Sequence, residues 1–79
     1  MTVATAEAHA RQRARERYSL DLTAEDMEAI AEQCRRGIDV LWSYPQGDRR
    51  KCKVRYRGRE VVVVYDSVAG TLVTVLPDE

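Results

Sequence analysis

The stretch RRKCKVRYRGREVVVVYDSVAGTLVTVLP, residues 49–77, decides the fold of this chain. Apolar and charged residues alternate in its first part, KCKVRYR, which is the period-two pattern of a β-strand. The next segment, EVVVVYD, is a continuous β-branched run that is typical of a central strand covered on both faces. After the turn residues SVAG, the segment TLVTVLP predicts one more strand. Because the links between these segments are short, the stretch predicts neighbouring antiparallel strands.

The segment before this stretch predicts a strand and a helix with clear ends. VLWSY, residues 40–44, predicts a first strand that ends at PQGD. Upstream of it, Thr23 and Asp26 form a variant of the capping box, and Gly37 is a typical helix stop. These signals predict a helix over residues 23–36. Its apolar residues follow helical spacing: Met27, Ile30, Ala31, Cys34 and Ile38.

The N-terminal segment predicts another helix, over residues 4–18, because it is rich in helix formers and lacks Gly and Pro. Its apolar residues recur every four positions in a narrow stripe: Ala6, Ala10, Ala14 and Tyr18. The whole pattern predicts a single α+β domain, residues 1–79, with two N-terminal helices packed on one face of a four-stranded antiparallel sheet. The expected core residues are Met27, Ile30, Cys34, Val54, Val62, Val64 and Leu72.

Composition excludes several classes of protein and of site. The chain has 79 residues, of which 44% are hydrophobic and 33% charged, and its formal net charge is zero. No apolar run approaches the roughly 20 residues that span a bilayer, and residues 1–17 lack a signal-peptide pattern, so we expect a cytoplasmic protein without membrane contact. One histidine and the separated Cys34 and Cys52 cannot form a zinc site alone, so we expect no metal or other cofactor. In a reducing compartment both cysteines are expected to be small buried apolar residues.

Positive charge is concentrated in one strand. Five cations there share one parity, and we call them the basic row: Arg49, Lys51, Lys53, Arg55 and Arg57. Residues of one parity lie about 6.6 to 6.8 Å apart on one face, which is close to the phosphate spacing of an extended single strand of nucleic acid. The basic row is therefore either a solvated strand face or a binding site for RNA or for an acidic protein surface. Changing Lys53 and Arg55 to Glu is expected to abolish such binding and to leave thermal stability nearly unchanged.

The run VVVV, residues 61–64, has apolar side chains on both faces of its strand. The helices can cover only one of these faces. The sequence therefore favours a homodimer or a bound partner over the other face, to which we assign Val61, Val63 and Tyr65. The aromatic residues considered for stacking against a nucleic acid are Trp42, Tyr44 and Tyr65.

The first predicted helix carries candidate catalytic residues. His9, Arg13 and Arg17 stand at positions i, i+4 and i+8 and so share one helical face. An unperturbed histidine can transfer protons near neutral pH, and a neighbouring arginine favours its neutral form. The spacing is compatible with a phosphoryl-transfer site, although a lone surface histidine more often has no catalytic role.

The pattern HARQRARERYSLDLT, followed by a four-stranded meander that ends in GTLVTVLP, resembles small phage and prophage proteins related to the barnase, colicin and RelE-like ribonuclease superfamily. The resemblance implies RNA cleavage without a metal, by attack of the 2′-hydroxyl on the adjacent phosphate. It implies that His9 is a general acid or base and that Arg13 and Arg17 hold the scissile phosphate. It also implies that Thr74 orients this phosphate. The chain departs from the family's pattern because it lacks a second histidine and an obvious glutamate base on the sheet.

Three functions are compatible with these observations. The first is a metal-independent endoribonuclease, in which the arginines and the basic row offset charge on the reacting phosphate. The second is an RNA-binding protein without catalysis. The third is a phage inhibitor that binds a host protein, for example an anti-defence or anti-CRISPR type protein. The sequence leaves open whether His9 lies near the basic row, and the enzyme hypothesis requires that it does.

Overall fold

The computed structural model describes the backbone of residues 3–77 and the side chains of residues 8–77. Two helices precede four strands, in the order that the sequence predicts: α1 (Val3–Tyr18), α2 (Ala24–Arg36), β1 (Val40–Gln46), β2 (Arg49–Tyr56), β3 (Arg59–Asp66) and β4 (Thr71–Leu76). The strands form one antiparallel sheet in the order β1-β2-β3-β4. The prediction of an α+β fold is therefore confirmed. Neither helix, over these residues, is long and apolar enough to cross a membrane.

Helix α2 begins and ends where the sequence indicates. The Asp26 N–H donates to Thr23 Oγ1 at 3.1 Å, and the Thr23 N–H donates to Asp26 Oδ2 at 2.9 Å, which completes the capping box. At the other end, Gly37 has a φ of 72° and donates its N–H to Gln33 O at 2.7 Å. Glycine adopts this left-handed conformation without a steric cost from a Cβ atom, so the predicted helix stop is confirmed.

The helices pack on one face of the sheet, which we call the helix face. Strands β2 and β3 supply its centre in cross-strand pairs, with Cys52 opposite Val63 and Val54 opposite Val61. All four side chains are fully buried. Both helices add side chains to the same cluster: Ala10, Ala14, Tyr18, Met27, Ile30, Ala31 and Cys34. Both cysteines are thus buried, as predicted, whereas Ala6 lies outside the residues whose side chains are described.

The assignment of Val61, Val63 and Tyr65 to an uncovered face is wrong. These residues lie on the helix face and are no more than 4% exposed. The reason is the two-residue turn Arg57–Gly58, in which both residues have a positive φ. This turn pairs even-numbered positions of β2 with odd-numbered positions of β3, so that Val61 and not Val62 faces the helices. The three residues are therefore not available for the predicted homodimer.

Val62 and Val64 lie on the opposite face, which we call the open face because the two described helices lie on the other side. They are nevertheless only 0% and 9% exposed. They stand outside the cluster under the helices, and their neighbours on the same face are residues of the adjoining strands. Their predicted burial is confirmed, and so is that of the other expected core residues: Met27, Ile30, Cys34, Val54 and Leu72.

Helix α1 is joined to the sheet by hydrogen bonds at its C-terminal end. The Tyr18 hydroxyl donates to Leu76 O at 2.6 Å and accepts the Val62 N–H at 3.2 Å. Arg59 Nη2 donates to Tyr18 O at 2.6 Å. These bonds connect the end of α1 to the start of β3 and to the end of β4. Both strands are far from α1 in the chain, because α2, β1 and β2 lie between them.

Candidate nucleic-acid interface

Cross-strand pairing arranges the open face in rows that run across the four strands. One row is Trp42, Lys53, Val62 and Leu76, and the next is Tyr44, Lys51, Val64 and Thr74. Directly paired residues of an antiparallel sheet lie on the same face, with Cβ atoms about 4.5 to 5.5 Å apart. The open face therefore places two aromatic rings of β1 beside two lysines of β2. We call these four residues the aromatic–lysine patch: Trp42, Tyr44, Lys51 and Lys53.

The two rings of the aromatic–lysine patch contact each other. Their centroids are 5.2 Å apart and their planes are inclined by 40°. Trp42 is half-buried, whereas Tyr44 is 59% exposed. Strand β1 is at the edge of the sheet. Pro45 is tolerated there because proline has no backbone N–H and an edge strand pairs with a neighbour on one side only. The rings are thus accessible from solvent along this edge of the sheet.

The lysines of the patch lie beside the buried valines of β3. Lys53 stands opposite Val62, and Lys51 stands opposite Val64. The Lys53 side chain is only 14% exposed, with its Nζ 3.5 Å from Glu60 Oε1. Long lysine stems cover apolar surface while their charged ends reach solvent. The stem of Lys53 is thus placed to cover part of Val62 on a face without helices.

Two carboxylates of β3 share the open face with the basic row. Glu60 stands opposite Arg55, and its Oε2 lies 3.0 Å from Arg55 Nη2. The other oxygen of Glu60 contacts Lys53. Asp66 stands opposite Arg49, at 3.7 Å. The hydrogen bond from Arg55 lowers the pKa of Glu60, and a backbone N–H in the following turn lowers the pKa of Asp66. Both carboxylates are therefore charged at neutral pH, and they offset part of the positive charge of the basic row.

Arg57 does not belong to the open face. It follows the last residue of β2, has a φ of 52°, and places its Nη2 2.9 Å from Asp26 Oδ1 at the start of α2. Its guanidinium carbon lies 5.3 Å from the centroid of the Tyr56 ring. The alternation of side chains between the two faces ends with Tyr56, because the left-handed turn begins at Arg57. The prediction that Arg57 is the fifth member of the basic row is therefore wrong.

Two of the three candidate catalytic residues of α1, Arg13 and Arg17, have partners on α1 or on β4. Arg13 Nη1 lies 2.8 Å from Glu16 Oε1 on the same helix. Arg17 Nη1 donates to Val75 O at 2.8 Å. His9 is exposed on α1. Arg17 therefore joins α1 to β4, whereas the ion pair of Arg13 lies within α1.

Two further candidates lie on different faces of the sheet. Thr74 stands opposite Val64 on the open face. Tyr65, considered for stacking, is buried on the helix face and accepts a hydrogen bond from Arg35 Nη1 at 3.5 Å, so that prediction is wrong. Because α1 packs on the helix face, His9 belongs to the layer on one side of the sheet, whereas Thr74 and the four residues of the basic row that lie on β2 face the other side.

Alternation along the strands does not by itself reveal which residues share the open face. The signal is the length of the turns. A two-residue link at residues 47–48 pairs even positions of β1 with odd positions of β2, and Arg57–Gly58 reverses the parity again in β3. Turn length therefore assigns Trp42 and Tyr44 to the face of the lysines. Turn length also places Glu60 on the open face, whereas the sequence pattern identifies this residue only as the start of a strand.

No protein-family model matches the chain, and no curated protein or solved structure shows significant similarity to it. The resemblance to RelE-like ribonucleases, which depends on short segments of sequence, stays a prediction. The candidate site is thus defined by the residues and the geometry of this chain.

Proposed function

We propose that this chain binds RNA on the open face of its sheet and does not cleave it. The observation that carries the proposal is the aromatic–lysine patch, in which each of two lysines on β2 stands opposite an aromatic ring of β1. Alternate residues of a strand are about 6.6 to 6.8 Å apart, close to the phosphate spacing of an extended nucleic-acid strand. A cytoplasmic location is part of the proposal, because both cysteines are free thiols, as is usual in a reducing compartment.

The distribution of charge supports an anionic ligand. On the open face, β2 carries four cations and β3 carries two carboxylates: Arg49, Lys51, Lys53 and Arg55 on β2, and Glu60 and Asp66 on β3. Among the described residues of β2 and β3 on this face the cations therefore outnumber the carboxylates, although the formal net charge of the chain is zero. Such an excess attracts phosphates whatever the bases attached to them.

Cleavage is left out of the proposal because the groups that it needs are separated. A general base must lie within hydrogen-bonding reach of the hydroxyl that it deprotonates. His9 is on α1, which packs on the helix face, whereas the lysines stand on the open face. A phosphate held by Lys51 and Lys53 would therefore have the sheet between it and the α1 layer.

The proposal is tested by fluorescence anisotropy with a labelled single-stranded RNA of about 12 nucleotides. The wild-type affinity should fall steeply as salt rises, because binding releases counterions. The double variant Lys51→Gln, Lys53→Gln removes two charges and keeps polar side chains of similar length. It should bind at least about tenfold more weakly and reduce the slope of log affinity against log salt by about two.

The matched control is the double variant Arg15→Gln, Arg36→Gln, which removes two charges from exposed positions on the helices. It should bind RNA as the wild type does. Failure of the wild type to bind RNA at low salt, or an equal loss in the two double variants, would overturn the proposed site. The RNA should also be recovered intact after incubation with EDTA, and fragments made by the wild type would overturn the proposal that binding occurs without cleavage.

A further inference from the structure

The aromatic pair of β1 lies outside the core. Trp42 and Tyr44 are on the open face and are not part of the cluster under the helices. Tyr44 is 59% exposed, although the free energy falls when an aromatic ring leaves water. A ligand with flat apolar surfaces would cover these rings.

The two rings lie side by side on one face, so that each can contact one of two successive unpaired bases. Residues i and i+2 of a strand are about 6.6 to 6.8 Å apart and point to the same face. Here the ring centroids are 5.2 Å apart. Trp42 stands opposite Lys53, and Tyr44 stands opposite Lys51. A ring therefore stands beside a cation at two neighbouring places along the strands. Bases and phosphates likewise alternate along a nucleic acid.

We infer that the ligand of the open face is single-stranded RNA, with two neighbouring bases stacked on Trp42 and Tyr44 and their phosphates near Lys51 and Lys53. This rests on the proposed RNA binding and adds the strandedness of the ligand. In a duplex the bases are stacked on each other, and side chains cannot reach their faces. Unpaired bases stack readily on aromatic side chains, with little dependence on sequence. A duplex would meet only the charges of this face.

Trp42 is the only tryptophan of the chain, so the intrinsic fluorescence reports directly on the proposed stacking. The wild type is titrated with single-stranded RNA and with a duplex of the same sequence at one salt concentration. The single strand should quench the fluorescence and bind at least about tenfold more tightly than the duplex. Equal affinity for both without quenching would overturn the stacking inference and leave the RNA binding in place. Binding of neither would overturn the proposed function itself.

A variant series at Tyr44 tests the same inference without using the fluorescence. Tyr44→Leu removes the ring and should weaken binding of the single strand by about 5- to 150-fold, while binding of the duplex stays the same. Tyr44→Phe keeps the ring and should bind as the wild type does. The control Val68→Ala trims another exposed apolar side chain, which is 77% exposed and lies between β3 and β4.

Wild-type affinity for single-stranded RNA in Tyr44→Leu would overturn the stacking on Tyr44. Thermal unfolding shows whether this variant is folded. The comparison of single strand with duplex uses only the wild type, so it decides the inference even if Tyr44→Leu does not fold.

Discussion

Asp26 is a carboxylate that is 3% exposed at the start of α2. It accepts hydrogen bonds from the Thr23 N–H and from the Tyr56 hydroxyl, and Arg57 Nη2 lies 2.9 Å from its Oδ1. The hydrogen bond from the Thr23 backbone, followed by that from Tyr56, lowers the pKa of Asp26 to about 2 although burial opposes this shift. Burial and the neighbouring carboxylate raise the pKa of Tyr56. One side chain therefore joins the cap of α2 to the turn between β2 and β3.

At this scale we predict a loss of stability in acid that depends on Asp26. Its pKa is about 2 in the folded state and 3.8 without these contacts, so the unfolded state binds more protons as the pH falls. The stabilisation is complete above about pH 4 and is lost as the pH falls through about 2. Urea denaturation at several pH values should show that the stability difference between wild type and Asp26→Asn shrinks over this interval.

The control for this prediction is Asp21→Asn, which removes an exposed carboxylate paired with Arg15. Its stability should follow the pH dependence of the wild type. A difference between wild type and Asp26→Asn that stays constant from about pH 5 to pH 2 would contradict the role of Asp26.

At the scale of the elements, the β2–β3 hairpin decides which charges meet. The turn Arg57–Gly58 aligns Glu60 with Arg55. Lys53 is the next residue of β2 on the same face, two positions before Arg55. Glu60 consequently contacts both cations, at 3.0 Å for Arg55 and 3.5 Å for Lys53. The alternation of β2 predicts that these two cations share a face, but it does not show that a carboxylate lies between them.

The double variant Lys53→Glu, Arg55→Glu should therefore lower the midpoint of thermal unfolding, in contrast to the nearly unchanged stability expected from the sequence. Three carboxylates would then be close together, where the wild type has one carboxylate between two cations, and like charges on neighbouring strands repel. The loss should be smaller at high salt, which screens exposed charges. Circular dichroism melts at low and high salt measure both effects.

The matched control adds Glu60→Lys to the double variant and so restores the pairs with reversed charges. This triple variant should recover most of the lost midpoint. A double variant as stable as the wild type at low salt would show that the contacts of Glu60 do not matter for folding.

At the scale of the whole molecule, Tyr18 connects the helix layer to the sheet. Its hydroxyl bonds Leu76 O and the Val62 N–H, and its carbonyl accepts from Arg59. The residue is 7% exposed. The end of α1 is thereby held at the point where β3 begins and β4 ends, so the packing of the layers depends on a residue far from both strands in the chain.

Tyr18→Phe should lower the free energy of unfolding by about 1 to 3 kcal/mol, because it removes the hydroxyl and leaves a backbone carbonyl and a backbone N–H without this partner. Urea denaturation measures the change. Tyr44→Phe removes a hydroxyl from an exposed ring and should change stability by no more than about 0.5 kcal/mol. Equal effects of the two changes would contradict the role of Tyr18.

The sequence by itself determined the order of the elements, both ends of α2 and the burial of Val54, Val62 and Val64. Each of these depends on neighbours in the chain: the capping box joins Thr23 to Asp26, the stop needs only Gly37, and alternation is visible within one strand. It also placed Lys51 and Lys53 on one face. Local physical chemistry is sufficient for these features, because the residues involved are close in sequence.

Only the tertiary structure decided which parity of β3 faces the helices, which partners the cations have, and that α1 lies on the face away from the lysines. Val61 is covered and Arg57 leaves the open face because a two-residue left-handed turn changes the parity between strands. Glu60 meets Lys53 because of cross-strand register, and α1 is positioned by the bonds of Tyr18 to β3 and β4. These features depend on contacts between distant parts of the chain, and a pattern read along one segment does not contain them.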